Sequence, residues 1–296
     1  NSQDNTAVGV GSLSSSLNTR DSVAIGTDAL KNDVSGQSNV AIGRDAMLSN
    51  IGGNQNVAIG RGALLLSENA SFNVGVGYAT MVNNLNGNKN VAIGYRALQQ
   101  NTVASKNVAI GEDCLLNHQN GALNVAIGSE CMNNQISGTG NIAIGQSCLQ
   151  VNAKSINIAI GTNASQKNTN GEQNTAIGRS AQISNTFGNQ NTSIGYQAGN
   201  LTTTGSNNTS IGQNARPSTN ISSNQITLGN GAVSVLRCAV TSITSLSDER
   251  DKTDIKDLEF GLDFIDSLQP REFVWNNRPE MITEYDDDGN ESEVEF

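Results

Sequence analysis

Residues 39–47 read NVAIGRDAM, residues 56–64 NVAIGRGAL and residues 90–98 NVAIGYRAL. The pentapeptide or a close variant ends at Gly9, Gly26, Gly43, Gly60, Gly77, Gly94, Gly111, Gly128, Gly145, Gly161, Gly178, Gly195, Gly212 and, as QITLG, at Gly229. Twelve of the thirteen intervals are 17 residues and one, Gly145 to Gly161, is 16. So short and regular a period marks a solenoid, in which each repeat is one coil that finds its stabilising contacts in the coils beside it.

The position before each Gly is aliphatic, and the residue two earlier is Val, Ile or Thr in most repeats, so both occupy one face of a short strand. That alternation predicts that Ile42, Ile59, Ile93 and Ile110 point inward and align in one column. The small residue between them, from Ala24 and Ala41 to Ser193 and Ser210, then faces outward, where it suits close approach of another chain. Ala or Cys three residues after the Gly, followed by Leu or Met as in Ala46-Met47, Ala63-Leu64 and Ala97-Leu98, predicts a second short strand. The linking segments SGQSN, GGNQN and NGNKN fit tight turns with positive φ. Asn stands four residues before the Gly in twelve of the first thirteen repeats, Ser22 being the exception. Stacked about 4.8 Å apart in parallel coils, such residues either form a hydrogen-bonded ladder or are kept for their turn conformation. Fourteen coils at that spacing make a roll roughly 60 to 65 Å long.

Composition agrees with a thin core: of 296 residues only 4% are aromatic and 15% charged, with 31 Gly and 3 Pro. Residues 1–247 carry 12 Lys/Arg against 10 Asp/Glu, and residues 248–296 carry 5 against 17, so two different units are joined near residue 247. Neither is basic, and phosphate-driven binding of nucleic acid is not expected. No long apolar run or charged-then-apolar leader marks a membrane span or signal peptide, so no membrane insertion is expected. The lack of a starting Met predicts a fragment of something longer.

Cys114, Cys131 and Cys148 replace the repeat's Ala and are expected to stack as reduced packing residues, while Cys238 packs in a neck. Zinc would need a fourth ligand, and His118 lies four residues from Cys114 in a turn, so neither a metal nor any cofactor is expected. Residues 284–295, EYDDDGNESEVE, put Asp286, Asp288, Gly289 and Glu295 at calcium-loop offsets. With Glu284 first and no amphipathic helix before it, a hairpin turning at Asp288-Gly289 is the better reading. Cleaving a polysaccharide requires two carboxylates about 5 to 9.5 Å apart in a cleft. The repeats hold one adjacent pair, Glu112-Asp113, and no activity on an external substrate is expected. The variable turns show no aromatic or charged cluster that would identify a receptor.

The repeated NVAIGxxAL of residues 1–229 resembles the head of trimeric autotransporter adhesins, whose coils are shorter than the 17 residues used here. That resemblance implies an all-β, left-handed parallel β-roll solenoid of 17-residue coils, homotrimeric about a common axis. The downstream stretch carries Ser247-Asp248-Glu249-Arg250-Asp251-Lys252-Thr253-Asp254-Ile255, then Gly261-Leu262-Asp263, Leu268, Pro270 and Phe273-Val274-Trp275. It is similar to the junction between phage tail fibres or tailspikes and the self-cleaving intramolecular chaperone found after endosialidases. The resemblance implies Ser247 as nucleophile and Lys252 as general base, with Asp248 and Arg250 supporting the junction. A lysine kept neutral by desolvation can deprotonate a hydroxyl. Attack by Ser247 on its own carbonyl would need a four-membered ring; attack on the Leu246 carbonyl, or across chains, avoids that strain.

Members of that family continue beyond the FVW strand into further strands and a long C-terminal helix. Residues 247–296 are therefore expected to be the N-terminal part of a small α+β chaperone domain, with a neck at 230–246 and the roll at 1–229. The function implied is a homotrimeric segment of a virion tail fibre or spike, binding a host-surface receptor of protein or glycan and followed by a self-removing chaperone. The alternative is a bacterial trimeric adhesin displayed on the cell surface.

Overall fold

The computed structural model describes residues 4–151 and 154–237, and the backbone of two further strands, Met281–Tyr285 and Glu291–Glu295. The chain divides into two compact units, Asn1–Leu236 and Arg237–Phe296. The first is an all-β parallel solenoid, and no helix occurs among the described residues. Its main sheet has fourteen strands in strict chain order. Each is a three-residue piece of the repeat, such as Val40–Ile42, Val57–Ile59 and Val91–Ile93. Every strand pairs in parallel with the same positions of the next, as in Val40↔Val57, Ala41↔Ala58 and Ile42↔Ile59. At the 16-residue interval the register is kept, with Ile142 opposite Ile158.

The sheet's two faces are the reverse of the sequence expectation. Ala41, Ala58, Ala92 and Ala109 are fully buried, while Ile59 and Ile93 remain 37% and 39% exposed. The aliphatic columns do align, but on the outside. The interior explains why: each coil closes on itself so tightly that the strand faces the Ala or Cys and the Leu or Met of its own turn. The core is accordingly built of Ala92, Ala97 and Leu98 in one coil and Ala109, Cys114 and Leu115 in the next. Only a small side chain fits where the strand meets that turn, Ala in most coils and Ser at Ser193 and Ser210. The Ala/Ser face is therefore core and offers nothing to another chain.

The expected second strand is also absent. Ala97-Leu98 and its counterparts lie in turns, with Leu30, Met47, Leu64 and Leu98 at φ of 47 to 51°. A left-handed conformation costs a Leu or Met roughly 1–2 kcal/mol. It is offset because the turn aims each side chain inward and its N–H at the neighbouring coil: Leu98 N donates to Cys114 O at 2.9 Å. Short additional pairing occurs just beyond, between Ser49–Asn50 and Leu66–Ser67. Each strand ends at a Gly in a conformation closed to other residues. At Gly94, φ is 133° and a Cβ would fall 2.5 Å from the carbonyl oxygen of Gly111.

In the second unit, Met281–Tyr285 and Glu291–Glu295 form an antiparallel pair running from Met281↔Glu295 to Tyr285↔Glu291. Antiparallel pairing of these two segments agrees with the hairpin expected there; residues 286–290, where the turn at Asp288-Gly289 is expected, lie outside the described residues.

Candidate functional site

The outward aliphatics before each Gly, joined two residues earlier by Val or Ile in most coils and by Thr6, Thr175, Thr192 and Thr209 in four, form one strip along the outer face of the parallel sheet. About 60 Å long and roughly 10 Å wide, it approaches 600 Å², the top of the range that single soluble chains leave open.

Two columns border the strip, and stacking gives them a character the linear sequence hides. Beyond the Gly edge, Tyr78 and Tyr95 stack with ring centroids 5.5 Å apart. The Arg61 guanidinium lies 6.0 Å from the Tyr78 ring and that of Arg96 4.8 Å from the Tyr95 ring. Arg96 also grips Asp113 of the next coil with two hydrogen bonds, 2.7 Å from Nε to Oδ1 and 2.5 Å to Oδ2. At the opposite edge, Lys89 Nζ sits 5.8 Å from the centre of the exposed Phe72 ring. These are aromatic and charged clusters where the sequence suggested none, because apart from the adjacent Tyr95 and Arg96 their members are 17 residues apart and meet only when coils stack.

The interior carries two polar columns. The repeat's Asn forms the ladder: Asn56 N donates to Asn39 Oδ1 at 2.9 Å, and Asn73 N to Asn56 Oδ1 at 2.9 Å. The Nδ2 of each also reaches across the coil to a turn carbonyl, Asn56 to Ala70 O at 2.8 Å. A second column, six residues earlier in the coil, includes Asp33, Asn50, Asn84, Asn101, His118 and Gln135, all buried. The Asn members bond to the residue three on, as Asn50 Nδ2 does to Gly53 O at 2.9 Å. Sequence reasoning missed this column because its residue type varies. Burial raises the pKa of Asp33 against hydrogen bonds from Gly36, Thr19 and Asn50. His118 belongs here too, its pKa lowered to about 4 by burial, and its Nδ1 has no partner.

The three stacked cysteines are buried free thiols. Their Sγ atoms donate to the carbonyls of Ala126, Ala143 and Ala159 at 3.1 to 3.3 Å. The neighbouring Cys131 and burial raise the Cys114 pKa, and burial raises that of Cys148, so both are held as thiols rather than thiolates. Among the described residues no group of three or more His, Cys, Asp or Glu is placed to hold a metal ion. Asp113 of the one adjacent acidic pair is engaged by Arg96. A groove of about 830 Å³ near Arg216, Pro217 and Thr227 has no carboxylate, imidazole or thiol in its lining. Ser247, Lys252, Leu246, Asp248, Arg250 and Cys238 lie outside the described residues. No helix among the described residues is long and apolar enough to cross a membrane.

Fold and surface thus define a class, the parallel β-solenoids, with an aliphatic column along the outer face of the sheet. Residues 247–293 match the Peptidase_S74 family model, chaperone of endosialidase. No curated protein and no solved structure matches this chain. The chain therefore joins a β-solenoid to a region similar to a self-cleaving chaperone, an arrangement consistent with phage tailspike-like proteins in general.

Proposed function

We propose that this chain is a segment of a phage tail fibre or spike that assembles as a homotrimer, engages a host-surface receptor and is followed by a chaperone that removes itself after folding. The observation that carries this reading is the Val/Ile strip, joined in one polypeptide to the chaperone-like region. A strip this long and regular finds its best cover in further copies of the same 17-residue pattern, because only those repeat at the same spacing. Three strips turned toward a common axis remove all three from water. Within the chaperone region Ser247 acts as nucleophile and Lys252 as its base, with the bond at the Leu246-Ser247-Asp248 junction broken. The match at residues 247–293 favours a tail fibre over a bacterial adhesin built on similar repeats.

Sedimentation equilibrium of the natural full-length protein, together with denaturing gels and N-terminal sequencing of any small fragment, tests both parts. A trimer whose released fragment begins at or next to Ser247 is expected. A stable folded monomer would overturn the assembly, and an intact chain after trimer formation would overturn the processing.

A further inference from the structure

We propose that the two columns flanking the strip form the lateral seam between copies, the Phe72, Lys89 and Lys106 edge of one chain receiving the Tyr78, Tyr95 and Glu112 edge of the next. This inference rests on the homotrimer proposed above. Rotation about an axis parallel to the solenoid leaves every coil at its own height. In a closed ring, the residue five before a given Gly therefore meets, on the neighbouring copy, the residue just after that same Gly. Within one chain these two positions sit at opposite ends of a strand.

Shape agrees over three levels, and opposite charges face each other at the third. A groove of about 470 Å³ is lined by Ser71 and Phe72, by Asn88 and Lys89, and by Ser105 and Lys106, one pair from each of three successive coils. The opposite edge carries at those same three levels a ridge formed by the stacked Tyr78 and Tyr95 followed by Glu112. Docking the ridge in the groove sets Phe72 against a phenol ring, Lys89 against the face or hydroxyl of Tyr95, and Lys106 against Glu112. Phe72 is 53% exposed, and Tyr78 and Tyr95 are 47% and 44% exposed, so all three have area left to bury. Neither Lys106 nor Glu112 makes an ion pair among the described residues. Asp113 is already held by Arg96, which leaves the Glu112 carboxylate as the acidic group for the seam.

The test uses the natural trimer. Lys106→Glu and Glu112→Lys each place like charges across all three seams, and each is expected to speed trimer dissociation by about tenfold, the product of three modest surface pairs. The double reversal K106E/E112K is expected to return to within about threefold of the original rate. Lys167→Glu, at an exposed turn away from both edges, serves as the control. As an independent readout, K106C/E112C treated with a short bismaleimide, which needs no oxidant and bridges thiols that a long ion pair would hold apart, is expected to give a covalent trimer on denaturing gels. A trimer indifferent to the single reversals, a double variant no better than the singles, or no interchain cross-link would overturn the seam while leaving the trimer standing. A monomeric natural protein would overturn both.

Discussion

Asn107 donates its backbone N–H to the side-chain Oδ1 of Asn90, 2.9 Å away and one coil earlier, and its own Oδ1 accepts the N–H of Asn124 at 3.0 Å. Its Nδ2 bridges to Gly121 O at 3.2 Å. One residue thus bonds to the coil below through its backbone, and through its side chain to the coil above and to a turn carbonyl 14 residues on, in an interior where water cannot substitute. Asn107→Ala leaves buried partners unsatisfied and should cost on the order of 3 kcal/mol by urea unfolding. Asn107→Ser should cost less, because Ser22 already fills the column, accepting the N–H of Asn39 at 3.1 Å. Equal effects for Ala and Ser would mean the position is kept for its turn conformation alone.

The glycine that ends each strand gives a sharper contrast. Gly94→Ala places a methyl 2.5 Å from the Gly111 carbonyl oxygen, at φ of 133°, and backbone on both sides cannot give way. Loss of soluble folded protein, or a destabilisation above about 4 kcal/mol, is expected. Gly62, two residues past another such glycine, has φ of 65° and nothing within 4 Å of its would-be Cβ. Other coils place Asp45, Ala79 and Arg96 at this position with similar φ. Gly62→Ala should therefore change stability by less than about 1 kcal/mol, as circular dichroism melts would show.

The period, the parallel stacking and the Asn column were legible because each is a pattern of identical residues at one spacing, while the column's hydrogen-bonded ladder was one of two readings the sequence left open. What misled was the Val-Ala-Ile alternation. Period two says that Val40 and Ile42 share a face opposite Ala41, and that holds. It does not say which face is inside. Hydrophobicity favoured the aliphatics, yet the coil leaves room only for Ala41 and turns Val40 and Ile42 toward the surface. Likewise Ala97-Leu98 looked strand-like by composition, and only its left-handed Leu98, held by a bond to Cys114 O, makes it a turn. The Tyr78–Tyr95 stack and the Phe72–Lys89 contact escaped notice because neighbours across coils are far apart in sequence.

The second polar column predicts a pH dependence. His118 is neutral when folded, with a pKa of about 4 against an ordinary 6.5. Between those values the unfolded chain binds a proton that the folded chain does not. Stability is therefore complete above about pH 6.5 and declines as pH falls toward 4, by about 3 kcal/mol over the window. His118→Asn, which copies Asn101 of the preceding coil, should remove this decline. At pH 7 it should match the parent within about 1 kcal/mol, since Asn101 bonds to the carbonyl three residues on at 3.1 Å. Denaturation midpoints of both proteins from pH 7 to 4 measure the difference, and parallel curves would refute it.

The thiol column makes the opposite prediction, of small effects. Cys114, Cys131 and Cys148 take the place of Ala46, Ala63 and Ala97, and each donates only a weak bond to a carbonyl. Replacing all three by Ala should cost on the order of 1 kcal/mol or less per site. Because burial keeps the protons on Cys114 and Cys148, alkylation of the folded protein at pH 8 should be slow until denaturant is added. Stoichiometric metal in the purified protein, lost in the triple variant, would contradict the packing role.

In the homotrimer proposed above, coils this alike would make a slip of 17 residues between chains inexpensive in local contacts, and three chains left to themselves would fall readily into wrong registers. A C-terminal trimeriser would set the register first, and its removal after folding would leave the shaft kinetically trapped. Cleavage should then require the assembled trimer as well as Ser247 and Lys252. In the natural full-length protein, Ser247→Ala and Lys252→Ala should each abolish release of the fragment, and the uncleaved trimers should refold more reversibly than the cleaved one. Asp251→Ala, which removes a group the chemistry does not use, should leave most of the processing intact. Normal processing of the Ser247→Ala protein would sink the assignment of both residues and make the junction an ordinary linker.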